Sequence, residues 1–218
     1  MQTLHRPGST PRPSNSGALS GALIAVVVIL GLILLLIAST IGSYNGLQSR
    51  KTSVEEKVAA LDSNYKRRFD LIPNLVETVK GAANFEQTTL QGLVDARASV
   101  GRANLPADVT DPAQMQAYLD AQASLGGALS RLLVVAENYP ALRATQQFGD
   151  LQAQLEGTEN RINVARTDWT AAVRDYNTKL RSFPGNVIGG MFNFKEIAQY
   201  SAEEGERAVP KVDFGSKQ

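Results

Sequence analysis

Residues 148–180 read FGDLQAQLEGTENRINVARTDWTAAVRDYNTKL. Apolar or small side chains recur here every three or four residues, at Phe148, Leu151, Leu155, Thr158, Ile162, Ala165, Trp169, Ala172, Tyr176 and Leu180. This seven-residue rhythm places them along one side of an α-helix. At 1.5 Å per residue, the helix is expected to extend roughly 60 Å, from about residue 144 to 183, where Pro184 stops it. Such a stripe cannot stay in water, so it must face other helices or a partner chain.

Two segments upstream show the same helical spacing on either side of a proline. The first covers residues 44–72, and Pro73 is predicted to break or kink it. The second covers residues 76–100 and ends before a polar loop. A corner between two helices is the favoured interpretation of Pro73-Asn74, and a hinge or a docking notch is the alternative.

The third helix of the predicted bundle has a recognisable beginning. Asp111 followed by Pro112 is typical of an N-cap and the first residue of a helix. Residues 115–136 then carry an apolar stripe, and Pro140 interrupts the chain soon after. No segment alternates with period two over a useful length. The expected fold is therefore all-α: an elongated antiparallel bundle of long, coiled-coil-like helices.

A very different stretch precedes the bundle. Residues 13–49 contain no Asp, Glu, Lys, Arg or His, and residues 18–41 are almost wholly Ala, Leu, Ile, Val and Gly. Such a run is long enough to cross a hydrocarbon layer of about 30 Å, which predicts one transmembrane helix at residues 18–42. A cleaved signal peptide is the rival interpretation. It is disfavoured because the run is longer than usual for a signal and residues 38–40 form a poor cleavage site.

Charges beside this apolar run do not decide its orientation. Arg6 and Arg12 lie on one flank, whereas Arg50, Lys51 and Lys57 lie on the other. The positive-inside rule needs a larger imbalance. The sequence therefore predicts a single-pass membrane protein and leaves open which side of the membrane carries the bundle.

Composition excludes several classes of chemistry. The chain has no cysteine, so disulfides, thiolate metal sites and thiol nucleophiles are excluded. Its only histidine, His5, lies before the apolar run, away from the folded domain. The net charge of +1 gives no electrostatic footprint for nucleic acid. No cofactor and no nucleic-acid partner are expected.

Two ordered blocks of residues resemble the LemA family. The first is YKRRFDLIPNLVETVKG at residues 65–81. The second is spread over residues 132–184. The positions taken from these blocks as structural or partner-binding are Tyr65, Arg67, Arg68, Asp70, Pro73, Asn74, Glu137, Tyr139, Pro140, Glu156, Glu159, Asn160, Arg161, Tyr176, Asn177, Phe183 and Pro184. The chain departs from the family pattern at two places. Trp169-Thr170 stands where Tyr-Asn is expected, and Asn193 stands where glycine often precedes the phenylalanine. These departures bring only local packing and the C-terminal turn into question.

The resemblance implies a bacterial helical bundle on one membrane anchor, with no established enzymatic activity and no catalytic residues to carry over. It also implies association with other proteins, such as HtpX-like membrane metalloproteases or TPM-domain proteins, or with envelope stress or magnetosome membranes. The expected organisation is a disordered polar tail at residues 1–17, the membrane helix at 18–42, a LemA-like bundle at 43–185, and an apolar segment with a polar tail at 186–218.

Charged groups in these blocks have ordinary interpretations beside functional ones. The basic triplet at residues 66–68 could in principle bind lipid head groups, but a straight helix would hold it too far from a bilayer. The triplet is therefore expected to be solvated or to form salt bridges, with Asp70 as an internal partner. A metal site at Glu137, Glu156 and Glu159 is disfavoured, because carboxylate metal centres in helical bundles normally include histidine and this domain has none. Capping, and hydrogen bonds between helices to Arg131, Arg161 or Arg166, are the favoured roles of these carboxylates.

The segment after Pro184 is apolar and aromatic without a heptad pattern. Met191, Phe192 and Phe194 are its candidate interface residues, for a partner or for the membrane surface. The alternative is that Phe192 and Phe194 fold back and close one end of the bundle.

These observations favour a non-enzymatic membrane scaffold or adaptor. Its partners would be the lipid bilayer, other membrane or envelope proteins, and copies of itself. A sensory or ligand-binding bundle that signals through a partner is the first alternative. An enzyme that works with carboxylates, amines and hydroxyls is the second.

Overall fold

The computed structural model describes residues 16–82 and 85–198, and every regular element in those ranges is an α-helix. The helices are α1 (Ser16–Lys80), α2 (Gln87–Arg102), α3 (Pro112–Ala136), α4 (Pro140–Arg143), α5 (Gln146–Arg181) and α6 (Gly185–Met191). The all-α fold class is confirmed. The predictions for residues 1–15 and for the polar tail from residue 199 onwards lie outside the described residues.

Helix α1 has 65 residues and two kinds of surface. From Leu23 to Ile41 its large apolar side chains are exposed on all sides, and this part is long and apolar enough to cross a membrane. From Leu47 onwards only one stripe is apolar, and that stripe is buried. The apolar span and the first helix of the bundle are thus one uninterrupted helix.

The predicted break or corner at Pro73 is wrong, because α1 continues through Pro73 to Lys80. The proline lies on the exposed face, where water can bond the carbonyl that loses its N–H partner. Ile72 and Leu75 on either side are fully buried and hold the helix in place. Helix α1 ends instead at Lys80, and α2 begins at Gln87 rather than directly after the proline.

The four long helices alternate in direction. Helix α5 runs antiparallel to α1, since Lys57 bonds Asp168 and Gly46 lies against Lys179. Helix α3 runs parallel to α1 and antiparallel to α2. Helix α2 in turn contacts α1, where the Arg97 guanidinium lies 4.1 Å from the Phe69 ring centroid. The arrangement is the elongated antiparallel bundle that the apolar spacing predicts.

The predicted N-cap of α3 is confirmed, and α5 has an N-cap that was not predicted. Asp111 caps α3: its side chain accepts hydrogen bonds from the backbone N–H groups of Ala113 and Gln114 at 3.0 and 3.1 Å. Thr145 caps α5 and accepts from the N–H of Phe148 at 3.4 Å. Each cap satisfies N–H groups that have no partner within the helix.

The interior divides into two apolar clusters along the bundle axis. The cluster nearer the apolar span, called the proximal core, includes Leu47, Tyr65, Met115, Trp169 and Tyr176. The cluster at the far end, called the distal core, includes Ile72, Val79, Leu93, Leu132 and Phe148. Between them lies a layer of polar and charged side chains.

Beyond α5, the chain folds back through α6 and a short extended segment. Asn193, directly after α6, has a φ of 56°, in the left-handed region. Asparagine tolerates this conformation better than other residues with a side chain, and glycine adopts it freely. This explains how asparagine can stand where the LemA family often has glycine.

Replacing Asn193 tests this explanation. We expect Asn193→Gly to change the free energy of unfolding by only a few tenths of a kcal/mol, and Asn193→Val to lower it by about 1–2 kcal/mol, because a β-branched residue is strained at positive φ. The measurement is denaturant unfolding of the full chain in detergent, followed by fluorescence of the single tryptophan, Trp169. Equal stability of the valine and glycine variants would contradict the strain argument.

Candidate functional site

The layer between the two cores is built around a buried arginine. Arg68 on α1 is 2% exposed. Its Nη1 donates to Glu159 Oε2 on α5 at 3.1 Å, and its Nη2 donates to the backbone oxygen and Oε1 of Gln122 on α3 at 2.8 and 3.0 Å. The guanidinium also lies 5.1 Å from the ring centroid of Tyr65. One side chain thereby joins three helices.

Further polar contacts surround this arginine. The Tyr118 hydroxyl donates to Asp62 Oδ1 at 2.6 Å, and Lys66 forms an ion pair with the same carboxylate at 2.8 Å. Arg166 Nη2 donates to the Tyr65 hydroxyl at 3.1 Å. Burial, together with the neighbouring carboxylate, holds the pKa of Tyr118 well above its usual value, so this hydroxyl stays protonated. The seven residues Asp62, Tyr65, Arg68, Tyr118, Gln122, Glu159 and Arg166 are called the arginine layer.

The charged triplet behaves only partly as expected. Salt bridges were predicted and are present, but Asp70 as their partner is wrong: it is exposed, and Lys66 and Arg68 pair with Asp62 and Glu159 instead. Arg67 is exposed. The triplet therefore faces partly into the bundle and partly into solvent.

The carboxylates also find other partners than expected. Glu159 bonds Arg68 rather than Arg131, Arg161 or Arg166. Glu156 is exposed and accepts from Gln152 on its own helix at 2.9 Å. Glu137 is the C-cap residue of α3. Within the two described ranges, no three of the His, Asp and Glu side chains converge as metal ligands would.

Several members of the arginine layer escaped the sequence reasoning. Asp62 and Tyr118 belong to no quoted block, and their contact joins positions far apart in the chain. One signal was present at Gly126, a glycine inside a helix, where alanine would normally be more stable. A Cβ there would lie 3.1 Å from Arg68 Nη1, so the glycine leaves room for the guanidinium.

The far end of the bundle carries an open cleft. The Phe85 ring in the turn after α1 packs against the Tyr139 ring, with centroids 4.8 Å apart, and Pro140 begins α4. A cleft of about 520 Å³ lies beside them, lined by residues that include Glu77, Gly81, Ala82, Tyr139, Pro140, Ala141 and Leu142. This surface is called the distal cleft.

A second surface groove lies between α1 and α5. Asn160 and Arg161, both exposed, line it together with Val164 and the Lys57–Asp168 ion pair. Its volume is about 400 Å³. Two motif positions thus face solvent on a groove rather than the core.

At the other end, the C-terminal segment is fastened to α5. The Tyr176 hydroxyl donates to the Lys195 carbonyl at 2.8 Å, and Asn177 exchanges two hydrogen bonds with the backbone of Ile197, at 2.8 and 3.0 Å. Arg181 forms a two-pronged pair with Glu196. The motif residues Tyr176 and Asn177 therefore hold the C-terminal segment in place.

The candidate interface residues after Pro184 divide between the two predicted roles. Phe194 packs partly against the proximal core, and the Phe192 and Phe194 rings contact Tyr44, with centroids 4.9 and 5.6 Å away. This is the predicted fold-back that closes the end of the bundle. Met191 stays exposed, however, as does Phe183 before the turn.

Comparison with known sequences agrees with the resemblance in the two motif blocks. A sequence model of the LemA family matches residues 57–214. The chain belongs to the LemA family. Protein LemA of Metamycoplasma hominis is 23% identical over 167 residues, 77% of this chain and 73% of that protein. Magnetosome protein MamQ 2 of Paramagnetospirillum magneticum is 24% identical over 193 residues, 81% of this chain and 71% of that protein.

The LemA match and the structure cover the bundle together. Both motif blocks lie inside the matched range, and the arginine layer draws Tyr65 and Arg68 from the first block and Glu159 from the second. The two blocks of the LemA resemblance, far apart in sequence, therefore meet in one layer of the bundle.

Removing the buried arginine should be costly. We expect Arg68→Ala to lower the free energy of unfolding by about 3–5 kcal/mol, because it leaves a cavity and unpaired buried acceptors. Arg68→Met should recover much of this loss, since it fills similar volume without a charge. Denaturant titration with tryptophan fluorescence measures both.

Lys57→Met is the matched control, because the Lys57–Asp168 pair also joins α1 to α5 but is exposed. It should change stability by less than about 1 kcal/mol. A cost at Arg68 no larger than at Lys57 would show that the arginine layer contributes little to stability.

The hydrogen bond from the Tyr176 hydroxyl that holds the C-terminal segment should be lost at alkaline pH. Burial, with the nearby charges of Asp108 and Glu196, raises the pKa of Tyr176 to about 12. The unfolded chain loses this proton near pH 10, whereas the folded chain keeps it, so the contribution is complete below about pH 10 and is lost as the pH rises towards 12. We expect the free energy of unfolding to fall across that window.

In the Tyr176→Phe variant, the free energy of unfolding should fall less steeply with pH across this window. Some decrease should remain, because Tyr118 also has a raised pKa. Denaturant titrations near pH 9 and near pH 11 compare the two chains. An identical alkaline slope in both would refute the assigned role of the Tyr176 hydroxyl.

Proposed function

We propose that this protein is a non-enzymatic scaffold, anchored in the bacterial inner membrane by one helix, that binds other membrane or envelope proteins through its bundle. The observation that supports this proposal is the continuity of α1, which is a membrane-length apolar span at one end and a bundle helix at the other. A rigid connection of this kind holds binding surfaces at set heights above a bilayer. The proposal is about positioning, and it requires no chemistry of the bundle itself.

The continuity of α1 also favours a retained anchor over a cleaved signal. Residues 38–40, where cleavage was weighed, lie inside the helix, and the Thr40 hydroxyl donates to the Leu36 carbonyl at 2.9 Å. A signal peptidase needs an extended chain at its cleavage site. Cleavage here would therefore require unwinding a helix that continues into the buried stripe of the bundle.

The distal cleft is the surface we assign to partner binding. Between residue 42 and Lys80, α1 rises about 57 Å at 1.5 Å per residue, so the cleft lies far from the anchor. Small side chains at Gly81, Ala82 and Ala141 leave it open above Leu142, which is buried. Such a cleft suits an apolar side chain presented by a neighbouring protein, and the Glu77–Lys80 ion pair, at 3.0 Å, lies at its rim.

The choice of partner follows from location. A protein held by one membrane span meets other membrane and envelope proteins far more often than free soluble ones. Three relatives carry the name magnetosome protein, which supports a membrane location here too. HtpX-like proteases and TPM-domain proteins, implied by the LemA resemblance, are the first partners to test.

Binding to a second copy is an additional proposal. The groove between α1 and α5 carries the exposed Val164 beside Asn160 and Arg161. An exposed apolar side chain between two long helices can accept a helix of another chain. A self-interface at this groove would leave the distal cleft free for a different protein.

Site-specific photocrosslinking in intact cells tests the assignment. A photoreactive residue at Ala141, in the distal cleft, should capture a membrane or envelope protein, whereas one at Val134, exposed on α3 outside the cleft, should not. A third at Val164 should report a second copy. Mass spectrometry identifies the captured chains, and an Ala141→Arg variant should lose the partner in co-purification because its charge and bulk block the cleft.

Recovery of only an uncomplexed monomer with all three probes would overturn the scaffold proposal. Reproducible hydrolytic turnover by the purified chain, lost on Glu156→Ala or Glu159→Ala, would overturn its non-enzymatic part. The two outcomes are independent, since an enzyme could still be anchored and a scaffold needs no turnover.

A further inference from the structure

A compact apolar patch lies at the end of the bundle nearest the apolar span. Phe183, Val187, Met191 and Phe192 are 82%, 50%, 70% and 50% exposed. They follow the end of α5 and extend along α6, and together they are called the proximal patch. Large apolar side chains grouped in this way on a surface usually mark an interaction site.

The register of α1 and α5 sets the height of this patch. Lys179 lies against Gly46, where a Cβ would be 3.7 Å from its Cε. Because the two helices are antiparallel with equal rise, Phe183 lies about level with residue 42. Residue 42 directly follows the exposed apolar run that ends at Ile41. The proximal patch therefore lies beside the end of the span.

Aromatic contacts place α6 at the same height. The Phe192 ring contacts Tyr44, which lies about 3 Å along the helix axis beyond residue 42. The same tyrosine ring contacts Phe194. Aromatic side chains at this level are typical of the belt where a membrane meets water.

The patch cannot turn inward. On the bundle side of α6, Ile188 is buried, and Gly189 packs so closely on Leu180 that a Cβ would displace the end of the leucine side chain. The hydrogen bonds between Asn177 and Ile197 hold the following segment. The inner face of α6 is already occupied, and no side chain within residues 16–82 and 85–198 covers its apolar outer face.

We propose that a lipid surface covers it: the proximal patch rests in the interfacial region of the leaflet that the α1 span enters. The observation that favours lipid over a protein partner is continuity, because the patch begins at the height where the apolar span ends. Arg50 is exposed on α1 about 12 Å along the helix axis from residue 42, where a juxtamembrane cation can approach anionic lipid head groups. This inference rests on the membrane anchorage in the proposed function and adds a second contact that limits the tilt of the bundle.

Spin labels can test the contact, because the chain has no cysteine to remove. Single-cysteine variants Phe183→Cys and Met191→Cys are labelled with a nitroxide in the full chain, with Leu32→Cys as the reference within the span and Val164→Cys as the matched exposed control on the bundle. Val134→Cys, exposed on α3 outside every proposed interface, serves as a second exposed control. Each variant is reconstituted at one chain per nanodisc of phosphatidylcholine and phosphatidylglycerol. Power-saturation spectroscopy compares collision with oxygen, which enters lipid, and with a water-soluble nickel chelate.

We expect labels at Phe183 and Met191 to lose nickel accessibility and gain oxygen accessibility relative to Val134, at a shallower depth than Leu32. If Leu32 is in lipid while the two patch labels are as accessible to nickel as Val134, the inference fails and the anchorage stands. If Leu32 is itself accessible to nickel, both fail. Protection that appears only in discs holding two chains would assign the patch to a second copy and overturn the lipid contact.

Discussion

Helix α1 has to present an all-round apolar surface over residues 23–41 and a single apolar stripe from Leu47 to Val79, with no break between them. The stripe cannot remain in water, so a second helix has to run back along it, and α5 does so for 36 residues. The α2–α3 hairpin then covers the side that α5 leaves open. Because the span and the stripe belong to one helix, the direction of the whole bundle is tied to the axis of the apolar span.

Apolar spacing was enough to predict the long helices, since each presents a stripe for many turns. The prediction failed at Pro73, because the tendency of proline to break a helix was considered without the packing of the neighbouring side chains. A proline inside a helix costs about 3 kcal/mol, whereas burying one large apolar side chain contributes about 1.5–3 kcal/mol. Ile72, Leu75 and Val76 are all buried next to it, so together they outweigh the proline. Helices α4 and α6 are too short for any period to be visible.

The candidate site was less accessible to sequence reasoning, because its partners are distant along the chain. Arg68 and Glu159 are 91 residues apart, and nothing in either block indicates that they meet. The nearby candidate, Asp70, lies two residues from Arg68, and positions i and i+2 of a helix point in different directions. For Lys66, Asp62 is the better partner, since an acidic residue four positions before a basic one is the favoured orientation.

The arginine layer also bears on how the surfaces at the two ends are placed. Heptad stripes of leucine, valine and alanine tolerate sliding by one repeat, which would shift α5 along α1 by about 10 Å. Arg68 does not tolerate it, since its donors meet Glu159 and Gln122 only in the observed register, and any other would leave a buried charge without acceptors. We infer that this layer selects the register at some cost in stability. The same register brings Lys179 to Gly46 and therefore brings Phe183 level with the end of the span, so the buried arginine and the exposed proximal patch are consequences of one alignment.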